Sequence, residues 1–318
     1  GNAYVVGVTY DTVNDYPTTI GAYDTTHNGG LFDIFVTKLD RYGSSLLYST
    51  FLGGSGDDRG NSITIDSNGN SYLVGYTENS TVNYPTTNGA FDTTHNGKSD
   101  VFITKLSPTG SSLIYSTFIG GSGDDIGNSV AIDSSVNIYI SGWTEDSTID
   151  YPATSEAYDP THNGDIDVFV TKLNSAGSSL VYSTFLGGSD DDYGSSLVVD
   201  LSGNVYITGL TIESTPCYPT TSGAYDTTHN GAIDVFVTKL NSAGSSLVYS
   251  TFIGGSGWDY GSDIAIDPNN NACINGHTED HINNFPITNN AYDRSNNGKT
   301  DVFVTKLNSA GSSLVYST

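Results

Sequence analysis

The stretch that decides the fold is Tyr48–Asp58, which reads Tyr-Ser-Thr-Phe-Leu-Gly-Gly-Ser-Gly-Asp-Asp. A run of aromatic and β-branched residues is followed by a glycine-rich turn and two acids, which is typical of a strand that ends in a turn. The Tyr-Ser-Thr triplet returns at one constant spacing, at Tyr48, Tyr115, Tyr182, Tyr249 and Tyr316. Repetition at a fixed period indicates that the chain is built from copies of one structural unit.

Two further markers have the same period. A Thr-Lys pair recurs at Lys38, Lys105, Lys172, Lys239 and Lys306, and a Tyr-Pro or Phe-Pro pair recurs at Pro17, Pro85, Pro152, Pro219 and Pro286. The first interval of the proline marker is longer than the others, because the first copy has an extra residue within Gly29–Phe32. Residues 167–185 and 234–252 are identical, which indicates recent duplication. We divide the chain into units at approximately 1–51, 52–118, 119–185, 186–252 and 253–318.

The second unit contains four segments with strand character. They alternate with a period of two and are separated by turns rich in Asn, Gly and Pro. The predicted strands are Asn61–Asp66, Ser71–Thr77, Asp100–Leu106 and Ser112–Phe118. A four-stranded antiparallel unit in tandem copies predicts an all-β fold, a β-propeller of five 67-residue blades that forms a single domain over residues 1–318. A β-solenoid is disfavoured, because its coils are shorter and lack hairpin turns.

The repeated motifs are similar to those of a known family. Tyr-Ser-Thr-Phe-Leu-Gly-Gly-Ser-Gly-Asp-Asp, Gly-Asn-Ser-Ile, Val-Tyr-Ile-Thr-Gly and Asp-Val-Phe-Val-Thr-Lys-Leu together resemble the SBBP-type β-propeller repeat of bacteria and archaea. The resemblance covers essentially the whole chain. It implies a propeller fold in large exported or surface-associated proteins, and it implies no defined activity.

One strand is missing from the predicted set. With strands labelled A (innermost) to D (outermost), the chain begins in strand B of the first blade, at Asn2–Val6, and ends in strand D of the fifth, at Leu314–Thr318. The first blade therefore lacks its innermost strand, a copy of the segment Phe51–Asn68. The favoured explanation is an excerpt of a longer protein. The two others are a ring that tolerates a three-stranded blade, and self-assembly in which another chain supplies the strand by β-augmentation.

Composition excludes several classes of protein. The chain has 35 acids, 10 bases and a net charge of −25, which argues against a nucleic-acid-binding protein. It has no apolar run of about 20 residues, so we expect no membrane insertion. Few lysines, many aspartates and many hydroxyl residues favour an extracellular or cell-surface location. Asn79 begins a possible N-glycosylation sequon, and Cys217 and Cys273 do not form a disulfide scaffold, so their redox state stays open.

The acidic connection between strands D and A is a candidate calcium site. Ca²⁺ binds several carboxylate and carbonyl oxygens, and a glycine-rich turn lets carbonyls converge. The preferred interpretation is turn chemistry, in which an aspartate accepts hydrogen bonds from the backbone of a glycine turn. No transition-metal site is predicted. The calcium candidates are Asp57, Asp58, Asp124, Asp125, Asp190, Asp191, Asp192 and Asp259.

The connection between strands B and C, expected on the same face, carries Thr-His-Asn-Gly in four of the five units. Its histidines are candidate ligand contacts, although a histidine satisfied within its own loop is preferred; the fifth copy has Asn296. Trp143 and Trp258 break the symmetry and could form a platform for a sugar. The recurring lysines are expected to bridge to neighbouring aspartates or to lie in solvent. The candidate histidines are His27, His95, His162 and His229.

The function predicted from these features is non-catalytic. Propeller glycosidases use carboxylates at the axis, but the inner-strand acids of this chain recur in every unit, whereas an enzyme needs one singular site. We therefore expect a secreted or cell-surface structural or adhesive module that contacts a protein or glycan surface through repeated weak sites. A lectin-like propeller is the first alternative and a polysaccharide-active enzyme the second. The recurring inner-strand acids are Asp66, Asp133, Asp200 and Asp267.

Overall fold

The computed structural model describes residues 1–10, 16–78, 83–145, 150–212, 218–279 and 284–318, and these form nineteen β-strands. The first repeat contains β1 (Ala3–Thr9), β2 (Asp33–Leu39) and β3 (Leu46–Leu52). The second contains β4 (Asp57–Ile65), β5 (Ser71–Glu78), β6 (Ser99–Leu106) and β7 (Leu113–Ile119). The third contains β8 (Asp124–Ile132), β9 (Ile138–Glu145), β10 (Asp167–Leu173) and β11 (Leu180–Leu186). The fourth contains β12 (Asp192–Val199), β13 (Val205–Ile212), β14 (Ile233–Leu240) and β15 (Leu247–Ile253). The fifth contains β16 (Asp259–Ile266), β17 (Ala272–Thr278), β18 (Asp301–Leu307) and β19 (Leu314–Ser317).

Each repeat is an antiparallel meander whose strands are neighbours in chain order. The first repeat forms a three-stranded sheet, and the fourth and fifth each form a four-stranded sheet. The second and third repeats have the same strand order and are joined by a parallel bridge between Ser99 and Asp124. The predicted all-β fold of antiparallel repeats is therefore confirmed, including the three strands of the first repeat. The number of blades and their closure into a ring stay predictions.

The first strand of each complete repeat begins earlier than predicted. In the second repeat the sequence predicts a start at Asn61, whereas β4 begins at Asp57, paired with Glu78. The backbone N–H of Asp58 also donates to the carbonyl of Phe32 in the preceding repeat, at 2.8 Å. These acids therefore lie at the start of a strand rather than in the connection before it. The prediction was wrong here because the strand is extended by pairing that no local pattern reveals.

The third strand of the second, third and fourth repeats lies in the core. In β6 every residue but one is buried, so apolar side chains leave both faces of the strand, as expected of a strand packed on both sides. Phe102 stacks on Tyr84 from the preceding connection, with ring centroids 4.7 Å apart. The Tyr84 hydroxyl lies 3.0 Å from Thr104 Oγ1, which in turn lies 2.7 Å from Ser116 Oγ. Because these three hydroxyls are hydrogen-bonded to one another, their burial is compatible with a stable core.

The chain divides into two compact units. The first comprises Gly1–Ile140, Thr144–Pro152 and Lys172–Val181, and the second comprises Ser141–Trp143, Ala153–Thr171 and Tyr182–Thr318. Each unit has its own apolar core, centred in the first on residues such as Phe102 and Leu106 and in the second on Ile274 and Phe303. The single domain over residues 1–318 stays a prediction. Among the described residues, no helix is both long enough and apolar enough to span a bilayer.

Candidate functional site

The connection between the second and third strands of each repeat is shaped by its own aspartate. In the second repeat, Asp92 Oδ1 accepts a hydrogen bond from the backbone of Thr94 at 2.8 Å, and its Oδ2 accepts one from Asn96 Nδ2 at 2.8 Å. An aspartate that binds the backbone two residues ahead is the usual builder of such a turn. The turn carries His95 and points the backbone N–H of Asn96 at Asp100, the second residue of β6.

That aspartate is one half of a buried pair. Asp100 Oδ2 accepts from the Asn96 backbone at 2.7 Å, and Asp125, at the start of β8, accepts from the Gly121 backbone at 2.7 Å. A Cβ placed on Gly120 would come within 2.7 Å of Asp125 Oδ2 and 3.0 Å of Asp100 Oδ1. The two carboxyl groups, from consecutive repeats, therefore flank one glycine. We call this arrangement the carboxylate pair. The pairs are Asp33 with Asp58, Asp100 with Asp125, Asp167 with Asp192, and Asp234 with Asp259.

Burial changes the chemistry of these acids. It is the main cause that raises the pKa of Asp58 to about 7, and the nearby charge of Asp33 contributes to this shift. Burial likewise raises the pKa of Asp192 to about 8, with Asp167 adding to the shift. Asp33 is raised to a pKa of about 6 by burial, and its Oδ1 is buried without a hydrogen-bond partner in the described part of the chain. Low dielectric and like charge both favour the neutral form of an acid.

The recurring histidine lies beside the carboxylate pair. His95 Nε2 is 3.1 Å from the Thr77 carbonyl oxygen, and its ring meets the ring of Phe118 edge to face at 5.7 Å. His27 Nδ1 lies 3.8 Å from Asp33 Oδ2. Burial raises the pKa of Asp100, and the charge of His95 offsets part of that shift. The geometry fits the preferred interpretation of a histidine held by its own surroundings.

The adjacent acids predicted as joint calcium ligands point to different places. Asp58 accepts from Gly54 at 2.7 Å and lies in the buried pair, whereas Asp57 Oδ1 accepts from the backbone of Leu31 at 2.5 Å. Asp124 likewise accepts from Ser99 Oγ at 2.7 Å and lies 3.3 Å from Lys98 Nζ. The preferred turn-chemistry interpretation therefore describes the second acid well. Over the described ranges, no group of three or more His, Cys, Asp or Glu side chains is arranged to hold a metal ion.

The fourth repeat has three consecutive candidate acids with separate environments. Asp190 and Asp191 are half-buried, while Asp192 is buried in its pair. Asp191 Oδ2 accepts from the Tyr193 hydroxyl at 3.4 Å. In the fifth repeat the single candidate, Asp259, accepts from the Gly255 backbone at 2.7 Å. In each carboxylate pair, one acid is therefore a predicted calcium ligand. The other is an aspartate that was not predicted as a ligand from the sequence.

The partners that sequence reasoning missed are the aspartates at the start of the third strand. Their signal was present, because an aspartate precedes the Val-Phe or Ile-Phe pair in all five units. These partners are Asp33, Asp100, Asp167 and Asp234.

Two candidate aromatic residues lie in different elements. Trp143, in β9, meets Tyr193 edge to face with centroids 5.5 Å apart. Trp258 lies in a D–A connection, pairs through its backbone with Ile233 and is 49% exposed. Trp258 therefore offers an open aromatic surface, whereas Trp143 packs on a neighbour. Asn79 and Cys217 lie outside the described residues, and Cys273 is a half-buried free thiol.

Four of the five recurring lysines bridge to the inner-strand acids, whereas Lys38 Nζ donates to the Pro108 carbonyl at 3.2 Å. Lys105 Nζ lies 3.6 Å from Asp66 Oδ2, and the ammonium also lies over the ring of Tyr72 at 4.6 Å. Burial raises the pKa of Asp66, but hydrogen bonds from the Asn70 side chain and backbone outweigh it and hold the pKa below its usual value. The same bridge joins Lys172 with Asp133, Lys239 with Asp200, and Lys306 with Asp267. In these contacts the inner-strand acids act as ion-pair partners.

Comparison with known proteins agrees with this architecture. The family model described as the SBBP beta-propeller repeat matches residues 47–80, 114–147 and 181–214. The chain carries SBBP-type β-propeller repeats. Each match runs from the last strand of one repeat through the first two strands of the next. The resemblance inferred from the sequence is thereby confirmed.

Individual relatives are more distant. An uncharacterized WD repeat-containing protein of Acanthamoeba polyphaga mimivirus is 25% identical over 268 residues, which are 74% of this chain and 19% of that protein. The chain thus spans about a fifth of the length of this relative. Among solved structures, a protein of unknown function from Dyadobacter fermentans aligns with a TM-score of 0.45 and 11% identity, over 82% of this chain and 69% of that one. A quinohemoprotein alcohol dehydrogenase of Pseudomonas putida aligns with a TM-score of 0.44 and 9% identity, over 90% of this chain and 51% of that one.

Proposed function

We propose that this SBBP-repeat chain is a non-catalytic structural or adhesive module of an exported or cell-surface protein, closed as a propeller of five blades. The observation that carries the proposal is the recurrence of the same buried carboxylate pair at four junctions, the contacts between consecutive repeats. Each carboxylate pair lies beneath a glycine turn, and each inner-strand acid is held by a lysine. A module that repeats the same internal contacts is suited to presenting a regular surface, and linked copies of a weak surface site multiply avidity.

The test is binding of the chain to glycan arrays and to surfaces of intact cells, together with incubation on a panel of polysaccharides. We expect saturable binding to a surface and no hydrolysis. Hydrolysis that a single substitution such as Asp66→Asn abolishes would overturn the non-catalytic proposal. A location at the cell surface is supported by the acidic, hydroxyl-rich composition, and immunolabelling of intact cells of the source organism tests it.

A lectin-like function is the second candidate, and the exposed ring of Trp258 favours it. Aromatic faces stack on the apolar face of sugars, and this ring is 49% exposed. On this proposal Trp258→Ala lowers binding to a glycan at least tenfold, whereas Trp143→Ala does not. Equal binding by the wild type and Trp258→Ala would leave a sugar site at this residue without support.

Calcium is proposed as a stabilising ligand of the acidic connections. The support is the carboxylate pair, in which burial disfavours the charged state of both acids unless a cation neutralises them. Two carboxylates supply only part of the six to eight oxygens that Ca²⁺ takes, so backbone carbonyls of the glycine turn would supply others. Its test combines calcium with a pH series of melting temperatures.

A further inference from the structure

The first two strands of each complete repeat present four side chains on one side of the sheet, from two cross-strand pairs. In the fifth repeat Tyr260 is paired with His277, and the backbone N–H of Glu279 donates to the carbonyl of Trp258 at 2.8 Å. Opposite residues, and residues two apart along a strand, point to the same side. We call each set of four the four-residue face. The corresponding sets are Asp57, Arg59, Tyr76 and Glu78; Asp124, Ile126, Trp143 and Glu145; and Asp191, Tyr193, Leu210 and Ile212.

The four-residue face differs in every complete repeat, although the residues between its members do not. The alternating positions, which point to the other side of the sheet, hold the same aspartate, two glycines and threonine in all four repeats and are buried. The constant side therefore makes the contacts that all repeats share, and the four-residue face is free to be particular to one repeat. In the second repeat the constant residues are Asp58, Gly60, Gly75 and Thr77.

A glutamate on this face has a cationic partner in two repeats. Glu78 Oε1 lies 3.9 Å from Arg59 Nε, and Glu145 Oε2 lies 3.5 Å from Lys98 Nζ. In the fifth repeat the glutamate is Glu279, and no Lys or Arg side chain of the described residues forms an ion pair with it.

The two positions that supply those cations hold uncharged residues at this place in the chain. Tyr260 stands at the position of the arginine, and Ala232, in the preceding repeat, stands at the position of the lysine. The hydroxyl of Thr300 donates to Glu279 Oε1 at 3.3 Å, but a neutral donor does not compensate the charge of the carboxylate. The fifth repeat thus keeps the carboxylate, and neither position supplies a cation to it.

The second repeat shows how this chain holds an organic cation on the same face. The guanidinium carbon of Arg59 lies 4.3 Å from the ring centroid of Phe32 and 5.9 Å from that of Tyr76. With Glu78 alongside, the cation meets aromatic rings and a carboxylate together. Both groups attract a guanidinium, because the face of an aromatic ring carries negative electrostatic potential.

The fifth repeat presents both kinds of group at its surface. Trp258 replaces the aspartate found at its position in the other complete repeats and is 49% exposed. Tyr260 stacks on His277 with ring centroids 4.5 Å apart and ring planes inclined by 15°, which fixes the orientation of its ring. Burial raises the pKa of Tyr260, and the charge of Glu279 adds to this shift, so the carboxylate acts on the same face.

We propose that Trp258, Tyr260 and Glu279 bind the guanidinium group of an arginine side chain presented by a protein partner. The rings contact the planar cation and the carboxylate neutralises it; indole is the best of the natural rings for such a contact. The net charge of −25 favours the approach of a cationic partner. The inference rests on the proposed adhesive function and names the chemical group that one of its surfaces recognises. A sugar on Trp258 is the competing occupant.

The test is a titration of the ¹⁵N-labelled chain with N-acetyl-arginine amide, followed through the indole N–H signals of its two tryptophans, which Trp258→Phe assigns. We expect a saturable shift of the Trp258 signal and none of the Trp143 signal. N-acetyl-citrulline amide, which has nearly the same shape and no charge, should leave both signals in place. An equal response to citrulline, or no saturable response to arginine, overturns the inference.

Substitutions separate this site from general attraction to an acidic chain. Glu279→Gln should weaken arginine binding at least about threefold, through the lost ion pair, and Trp258→Ala at least about fivefold, both followed through the backbone amide of Tyr260. The matched control is Glu145→Gln, which removes the same charge from the corresponding position, where Lys98 pairs with it, and should leave the Kd unchanged. Equal weakening by the two Gln variants would show that net charge is responsible, and the inference would be wrong. None of the substituted residues is buried, so the variants should fold, and the citrulline comparison uses the unaltered chain.

The outcomes separate this inference from the proposed function. Saturable binding to cells without any response to arginine overturns the arginine site and leaves the adhesive module standing. An arginine response without binding to any cell or surface supports the site and contradicts the adhesive module. A shift of the Trp258 signal by methyl glycosides but not by N-acetyl-arginine amide would show that the occupant is a sugar and would overturn the inference.

Discussion

At the scale of single residues, the feature that organises each junction is a glycine between two buried carboxyl groups. Gly53 lies so that a Cβ would come within 2.7 Å of Asp33 Oδ1 and 2.8 Å of Asp58 Oδ2. Only a residue without a side chain lets the two strands approach this closely. The acids hold the turn through backbone N–H donors from Asn28 and Gly54. Burial raises the pKa of both acids, to about 6 for Asp33 and about 7 for Asp58.

Replacing Asp58 by Asn should therefore stabilise the chain at pH 8. The folded-state pKa of Asp58 is raised to about 7 by burial, above its value of 3.8 in the unfolded chain. The protonated acid thus favours folding at low pH, and that contribution is lost as pH rises from about 4 to 7. Asn cannot ionise, so Asp58→Asn should be more stable than wild type at pH 8 by roughly 1–4 kcal/mol, and similar at pH 4.5.

Urea unfolding at the two pH values measures this difference. The matched control is Asp57→Asn, which removes the same charge from the neighbouring residue but leaves the buried pair intact. If both variants shift stability equally, the effect comes from net charge and the interpretation of Asp58 as a buried acid is wrong.

The acids of the D–A connection could be predicted only in part from the sequence. The glycines and acids of the D–A connection were recognisable as turn chemistry, and the hydrogen bonds of Asp58 and Asp125 agree with that interpretation. The sequence predicts Asp57 and Asp58 as ligands of one site, but successive residues of a strand point to opposite faces, and β4 begins at Asp57. The partner of Asp58 is Asp33, which belongs to the preceding repeat. Only the contact between repeats, which no local pattern encodes, selects it.

At the scale of elements, the turn between the last two strands of one repeat forms part of the contact with the preceding repeat. Gly110 adopts a φ of +65° and its carbonyl accepts from the backbone of Tyr23 in the preceding repeat at 2.8 Å. A Cβ on Gly110 would overlap the ring of Tyr48. The same relation joins Gly177 with Tyr115. The sequence predicted the turn from its glycine, whereas the aromatic ring that packs on it could be found only in the structure.

Replacing Gly110 by Ala should destabilise the chain more than the same change at Gly43. Both glycines have a positive φ, of +65° and +69°, so alanine strains the backbone equally, by about 1 kcal/mol. Space around Gly43 is open, with no atom within 4 Å of an added Cβ, whereas Gly110 lies against Tyr48. Overpacking of this kind typically costs a further ~1–3 kcal/mol. Chemical denaturation of both variants gives the difference directly, and equal losses would show that the contact with Tyr48 contributes nothing.

At the scale of the molecule, the repeats combine two groups of acids with opposite responses to pH. Burial raises the pKa of the paired acids, as for Asp192 and Asp234, so they favour folding at low pH. Burial also acts against ionisation of the inner-strand acids, such as Asp133 and Asp200, but hydrogen bonds and lysine partners outweigh it and lower their pKa. The stabilisation from this second group is present above about pH 4 and is lost as pH falls below it. Since each group recurs along the chain, the effects should add.

We therefore expect the melting temperature to be highest near pH 4.5 and to fall toward both pH 2.5 and pH 8. The decline from pH 4.5 to 8 follows from the paired acids, which must ionise in a buried site, and differential scanning calorimetry across the series measures it.

The same series tests calcium binding by the carboxylate pairs. If Ca²⁺ binds them, it should raise the melting temperature at pH 8 and flatten the decline, and EDTA should reverse both effects. A ligand present at 100 times its Kd stabilises the fold by about 2.7 kcal/mol per site, which is readily detected. Mg²⁺ is the control for ionic strength. A melting temperature that does not respond to Ca²⁺ would end the calcium proposal, and one that rises steadily from pH 4.5 to 8 would contradict the neutral buried acids themselves.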